Sequence, residues 1–512
     1  MKKGLKYGIT GILLAALLLS GCSKGQGTSD TSESDATPSV STATNSEGSI
    51  ISTSSTIAVN TEFTTSDLEV GYEESSSVKI TLEGSSATAS GGSVSIEDNI
   101  ITITKEGTYI ITGTLEDGQI VVDAGDSDKI QLVLNGAAIN CSDNAAIYIK
   151  NADKVFLTLE TGTENTLTDG TTYVQTDENT VDGVIFSKAD LTINGEGTLN
   201  ITGNYKHGIV VKDELTITGG TYLISAVKDA INSNEGVKIK AGTFTLSAQT
   251  GNGIQSKNSE DTTKGYVYIC GGDITVTSCV EGIEGTAIII EGGNINITAQ
   301  DDGFNASDGT STASDAFMGG QDANAFENNT NCYISISGGS IQMDASGDGI
   351  DSNGSLFVSG GTIYVSGPTE SNNGALDYNG TAEITGGTIV AAGSTGMAEG
   401  FGDTSTQYSL LYNFTSASEA GTEVTLTDAD GNVMVSFTPG KQYQSVVIST
   451  PELKQGETYT LTSGSQTEEI TLSSIVTSNG QSQMGGPGMG GNNMGGNNWG
   501  GQRDNNQGGM NR

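Results

Sequence analysis

Short apolar–polar alternations recur along most of the chain, and they predict strands rather than helices. Ile100–Thr104 and Tyr109–Gly113 alternate with a period of two around Lys105-Glu106-Gly107. Ile120–Val122, Ile130–Leu134, Ala146–Ile149 and Val155–Leu159 continue the series. β-Branched residues at alternate positions, bounded by Gly, Asn and Asp, suit a pleated, half-buried strand. Beyond residue 22 no stretch combines a helical period with caps, so the chain reads as all-β.

After about residue 190 the alternation becomes a repeat. Gly-Gly or near-Gly-Gly turns start at 219, 241, 271, 292, 338, 360 and 386, giving spacings of 22, 30, 21, 46, 22 and 26. A base period of 21 to 22 is too short for a four-stranded propeller blade and fits a coil of about three short strands. The reading is a parallel β-helix, a solenoid whose insertions become loops, the longest within Asp308–Asn331. Gly338–Gly361 is the clearest unit. Ile295 and Ile297, Ile341 and Met343, and Ile363 and Val365 occupy equivalent inward places, followed by Ala226, Ala299 and Ala345 at a corner. A single coil cannot bury its apolar face, so neighbouring coils supply the core.

A second turn in each unit carries the candidate chemistry. The series runs Lys228-Asp229-Ala230-Ile231, Asn252-Gly253-Ile254, Glu281-Gly282-Ile283-Glu284, Asp301-Asp302-Gly303-Phe304-Asn305, Asp348-Gly349-Ile350-Asp351 and Asn373-Gly374-Ala375-Leu376-Asp377. Stacked coils would bring oxygen ligands to about 5 Å from one another. Bare carboxylates at that spacing repel, and a cation between them relieves the repulsion. Asp229, Glu281, Glu284, Asp301, Asp302, Asn305, Asp348, Asp351 and Asp377 are therefore candidate metal ligands. Their hard oxygens select calcium over zinc or copper. The competing reading is a ladder of Asn and Asp side chains that only satisfies turn backbone. Tyr266 and Tyr268 share one face, and with Tyr364 and Tyr378 they are candidate carbohydrate-stacking platforms; the alternative is cross-strand packing.

Charge narrows the partners. The 61 acidic residues outnumber 21 basic ones, for a formal net charge of −40, and the only arginines are Arg503 and Arg512. Nucleic acid is excluded, because phosphate binding needs a basic surface. A polyanionic ligand would be repelled unless cations sat between it and the protein. Cys141, Cys270, Cys279 and Cys332 lack metal or redox spacing, and no nucleophile elbow, phosphate loop or catalytic triad is present. His207, the sole histidine, precedes Gly208-Ile209 in an equivalent turn.

The ends carry different signals. Residues 1–22 read as a lipoprotein signal peptide, with Lys2, Lys3 and Lys6 ahead of an apolar run and a lipobox-like Leu19-Ser20-Gly21-Cys22. Cys22 is then the lipidation site, which places the protein outside the cytoplasm, lipid-anchored to a bacterial cell membrane. Residues 23–60 form a Ser/Thr-rich disordered tether. The repeat domain spans 61–399. Residues 400–478 break the period and read as a C-terminal β cap that hides the last apolar edge. Residues 479–512, rich in Gly, Asn and Met, read as a disordered tail.

Three stretches carry a family resemblance: Gly107–Ile120, Glu160–Gly170 and Phe186–Gly195. With the repeats, over about residues 75–475, they resemble the clostridial carbohydrate-binding β-helix family. That resemblance implies a right-handed, pectate-lyase-like parallel β-helix, calcium on the helix, and cellulose and polygalacturonate as partners. The D-G-I type turn matches at Asp302 and at Asp348 with Asp351; Asp229 is followed by Ala230, while Asn252, Glu281 and His207 depart from it. The expected function is non-catalytic, calcium-dependent polysaccharide binding at the cell surface. A polysaccharide lyase is the first alternative, with Lys206, Lys212, Lys228 and Lys257 as the remaining candidates for its base; a structural spacer or adhesin is the second.

Overall fold

The computed structural model describes residues 57, 59–258, 260–309 and 328–480. The expected signal peptide with Cys22, nearly all of the tether, the centre of the 308–331 insertion and the tail beyond Gly480 lie outside them. Apart from one helical turn at Thr65–Leu68, the regular elements among the described residues are strands. The first strand is Val78–Gly84, so the segment before it, taken as the start of the repeat domain, is not strand.

Strands gather into a 21-stranded sheet, a 12-stranded sheet and a four-stranded sheet. In the 12-stranded sheet successive short strands pair in parallel, from Gln119–Asp123 to Leu376–Tyr378. Its inward column reads Ile209, Ile231, Ile254, Ile283, Phe304, Ile350 and Leu376, each directly over the next and none exposed. In the larger sheet Ile295 lies over Ile341 and Ile363, and Ile297 over Met343 and Val365. These columns merge into one continuous core. Placing like over like removes apolar surface from water on every turn and keeps each ladder paired. The long insertion leaves the register intact, since Phe304 pairs with Ile350 across it.

The large sheet corrects the expectation of an open right-handed solenoid. Lys129–Cys141 pairs with both Lys154–Leu159 and Glu164–Asp169. From there one path runs through Asp190–Gly195, Glu214–Ile217 and Gly236–Ile239. The other runs through Thr198–Gly203, Thr221–Ala226 and Thr243–Ala248. Both end on Tyr266–Ser278. In hydrogen-bond terms the ten strands form a closed parallel barrel, with the sheet's other strands outside it. The cause is strand length. Lys129–Cys141 and Tyr266–Ser278 each run for 13 residues through a bend without losing the sheet, so they join two faces that shorter strands would leave separate.

Several Gly-Gly pairs expected as turns between strands are bends inside such long strands, as at Gly271-Gly272, Gly292-Gly293, Gly360-Gly361 and Gly386-Gly387. Two requirements explain the pair. The second glycine takes a left-handed conformation, with φ of +83° at Gly361. The first lies against the carbonyl of the turn below: a Cβ on Gly338 would stand 2.2 Å from the Glu291 carbonyl oxygen. The repeat ends where Ala382–Gly393 pairs antiparallel with Tyr443–Ser449, which also pairs with Ser409–Ser418. A second apolar cluster, with Phe414, Tyr443 and Leu461, underlies this C-terminal region.

Gly361→Ala should cost about 1–2 kcal/mol from the left-handed backbone alone. Gly338→Ala, strained only by the close carbonyl, should cost about 1–3 kcal/mol. Urea denaturation checks both, and unchanged midpoints would show that the turns are not tightly stacked.

Candidate functional site

The outward row of the 12-stranded sheet changes character along the stack. It reads Val121, Tyr148, Phe186, Val210, Asn232, Gln255, Glu284, Asn305, Asp351 and Asp377, each paired with the next. The first four are buried under a loop that brings Val181 and Tyr173 over them. The amides Asn232 and Gln255 follow, then Glu284, the amide Asn305, and the carboxylates Asp351 and Asp377. Beside this row stands the column of second-turn residues, and here the turn-ladder reading describes several contacts. Asp229 accepts from the Asn252 backbone N–H at 2.9 Å and Asn252 from that of Glu281 at 3.1 Å. Asp302 accepts from the Asp348 N–H at 2.7 Å, and Asp348 from the Gly374 N–H at 2.5 Å. His207 continues the ladder, its Nδ1 lying 3.2 Å from the Asp229 backbone nitrogen and 3.0 Å from Asp229 Oδ2.

The candidate ligands divide into two groups. Glu281 and Glu284 are compensated by the protein itself. The Lys257 ammonium pairs with Glu284, the amides of Gln255 and Asn252 donate to the same carboxylate, and the Asn305 amide donates to Glu281 at 2.9 Å. Asp229 is likewise engaged by His207 and by the Asn232 amide at 2.6 Å. Lys257 leaves the stack on the segment after Ile254–Ser256, and its alternation-free surroundings give no hint of its partner.

Asp348, Asp351 and Asp377 form the second group. Each offers one carboxylate oxygen, and the three oxygens lie within 4.8 Å of one another. Among the described residues no lysine or histidine forms an ion pair with them or with Asp301, Asp302 or Glu399. Burial, reinforced by the neighbouring carboxylates Asp351 and Asp348, pushes Asp302 up to about 9. Burial moves Asp348 up to about 7 and Glu399 to about 7, and raises Asp351 well above the carboxylate range. Burial also raises Asp301 and Asp377. Two buried oxygens in this neighbourhood, Asn305 Oδ1 and Glu399 Oε2, have no hydrogen-bond partner among the described residues. Glu399 lies beyond the last repeat, where no periodicity marks it.

The four tyrosines do not form one platform. Tyr266 and Tyr268 are 3% and 5% exposed, beneath the segment containing Ile57 and Phe63. Tyr364 stacks on Phe437 of the C-terminal region at 5.0 Å. Tyr378, next to Asp377, donates to the Gly400 carbonyl at 2.5 Å. Among the described residues, Cys141, Cys270, Cys279 and Cys332 are free thiols.

This geometry can be set beside known proteins. A family model described as carbohydrate-binding domain-containing protein matches residues 97–374 and 287–484. The chain belongs to that family. A carbohydrate-binding domain-containing protein of Acetivibrio thermocellus is 40% identical over 135 residues, covering 26% of this chain and 47% of the relative. The chain thus spans about half the length of that relative. A solved structure described as a polysaccharide lyase-like protein from C. thermocellum, a gadolinium derivative, aligns with a TM-score of 0.42 and 26% identity, over 60% of this chain and 97% of that one.

Two outcomes follow from the unequal compensation. Lys257→Met strips Glu284, only 4% exposed, of its cation and should cost about 3 kcal/mol, read by chemical denaturation. The second concerns pH. Asp348 and Asp302 bind protons more tightly folded than unfolded, so the folded chain holds the extra protons between about pH 4 and their values of about 7 and about 9. With divalent ions chelated, Tm should fall as pH rises from 5 to 9. Added calcium should flatten that fall; a Tm that rises with pH under chelation would contradict the assignment.

Proposed function

We propose that this chain is a non-catalytic polysaccharide-binding protein that holds acidic glycans, of the polygalacturonate type, through calcium. The observation that carries the reading is the half-buried Asp348, Asp351 and Asp377 cluster, without an internal cation among the described residues, in a chain of the carbohydrate-binding family. The residues fit calcium: the oxygens are hard, anionic and clustered, and the unpartnered Asn305 and Glu399 oxygens nearby offer further hard donors. Asp348, Asp351 and Asp377 would hold the ion, with Asp302 and Glu399 adding negative charge around it. Bound calcium would supply the positive charge that lets a protein of net charge −40 accept a carboxylate polymer. The lipobox-like Cys22 supports a place at the outer face of a bacterial membrane, where cell-wall polymers, cellulose included, are within reach.

Among the described residues, two of the lyase alternative's four candidate bases are engaged by carboxylates. Lys257 is held by Glu284, Lys206 approaches Asp182 at 3.5 Å, and Lys212 lies over the Phe186 ring at 5.5 Å. Lys228 is exposed. A proton-abstracting amine needs its lone pair free and near the substrate carbon.

Asp351→Asn and Asp348→Asn should each weaken calcium binding, measured by calorimetry, by at least tenfold, on the order of the 1.4 kcal/mol of one lost charged contact. Polygalacturonate pull-down should require calcium in the parent protein and fall with it in the variants. Calcium-independent pull-down would overturn the bridging role, and ultraviolet absorbance from unsaturated product would replace binding by lyase chemistry.

A further inference from the structure

Residues 59–72 run as a strap over the outside of the large sheet. Among these residues no backbone–backbone hydrogen bond ties the strap to the sheet. Side chains attach it instead. Thr64 and Asp67 close a capping box around the helical turn, which aims the Asp67 carboxylate at the sheet. There Lys154 Nζ lies 2.8 Å and Thr192 Oγ1 2.6 Å from Asp67 Oδ1. Lys238 Nζ donates to the Glu62 carbonyl at 2.8 Å, Asn194 to the Glu69 carbonyl at 3.0 Å, and Tyr266 to the Asn60 carbonyl at 3.3 Å.

These contacts share a direction: the sheet donates and the strap accepts. The exceptions are the Asn60 amide and the Tyr72 hydroxyl, which donate to Glu214 and Glu160. The Phe63 ring, meanwhile, sits 5.5 Å from the Lys238 ammonium, 5.1 Å from that of Lys240 and 6.1 Å from the Tyr268 ring. The face beneath therefore combines ammonium groups, hydroxyl and amide donors, and aromatic rings, in a chain whose net charge is −40, together with two sheet carboxylates, Glu214, which pairs with Lys238 at 2.7 Å and accepts from Tyr266, and Glu291, which accepts from Tyr268 at 2.7 Å. Outward-facing Tyr and Lys on a sheet have no core to serve; Lys238, 1% exposed, lies beneath the strap. A ligand matching this face must be rich in acceptors, carry carboxylates and present ring surfaces.

We propose that this face is a second binding site for an acidic, uronate-type polysaccharide, and that the strap occupies it as an internal stand-in, with Asp67 where a uronate carboxylate would lie. The site uses lysine rather than calcium, so it goes beyond the calcium-bridged reading and stands or falls separately. Because no ladder joins strap to sheet, displacement breaks side-chain contacts and leaves the stack intact. An apparent affinity is lowered in proportion to the fraction of molecules whose site is free.

The test uses fluorescent oligogalacturonate and full-length chain in excess chelator, which silences calcium. The strap is loosened in one preparation by Phe63→Ala with Asp67→Ala, and in another is cut from the body at a protease site placed in the exposed turn at 73–77. Hydrogen exchange across 59–72 verifies release. Release should raise affinity on the order of tenfold, as expected when an occupying segment leaves. A peptide of residues 59–72 should compete the gain away, and Lys154→Ala with Lys238→Ala should abolish it. Unchanged affinity after release by either route, or a gain that survives the lysine substitutions, overturns the proposal. Loss of the calcium-dependent binding through Asp351→Asn reports on the other site alone.

Discussion

Everything in this molecule depends on turns that stack in register, each strand hydrogen-bonded to its counterpart one turn away at about 4.8 Å. Stacking places a residue directly over its equivalent. For apolar positions this is favourable at every step, as in the column from Ile209 to Leu376. It also forces the backbone of neighbouring turns so close that only glycine fits at positions such as Gly338. The same constraint turns any polar position into a column of like groups, and like charges at that spacing must be compensated.

The outward row of the short-strand sheet shows three ways of doing so. The Asn232 amide donates to the Gln255 side-chain oxygen at 2.8 Å. Glu284 receives the ammonium of Lys257 together with amide donors. Asp351 and Asp377 receive no such partner among the described residues, and burial with mutual repulsion moves Asp351 toward its protonated form. A lysine at one turn thus does electrostatically what a divalent ion is proposed to do two turns further on. Under the proposed function, selectivity for acidic polymers would belong to cations, whether carried by side chains or bound, because a chain of net charge −40 repels such polymers.

The strap obeys the same electrostatics on the opposite terms. Its carboxylate and carbonyls accept from Lys154, Thr192, Asn194 and Lys238 on the face beneath. Burial alone would raise the Asp67 pKa, yet hydrogen bonds from Lys154, Thr192 and Thr64 outweigh it and bring it down to about 2. Its contribution to holding the strap is therefore fully present above about pH 4 and lost only as pH falls toward 2. The carboxylates of the Asp348 cluster respond in the reverse sense, so the two faces are tuned to opposite ends of the pH scale.

The sequence by itself determined the β class, the register of the inward columns and the second-turn acids, because alternation, glycine pairs and a 22-residue period are local signals. Asp348 and Asp351 were legible on that basis, and Phe304 over Ile350 shows that the long insertion left the period intact. Closure of the large sheet was not legible: a Gly-Gly pair reads the same whether the strand breaks there or bends through it, as Tyr266–Ser278 does. Nor was the division of the acidic column, since Lys257 reaches Glu284 from outside the repeat and Glu399 lies beyond its end. The strap was not legible either: no helical turn was expected beyond residue 22, and nothing local marks the destination of Asp67, 87 residues on at Lys154 (154 minus 67). Local pattern specifies what each turn is; which distant charge meets which, and which tyrosines stay covered, is decided only when the chain folds back over its own surface.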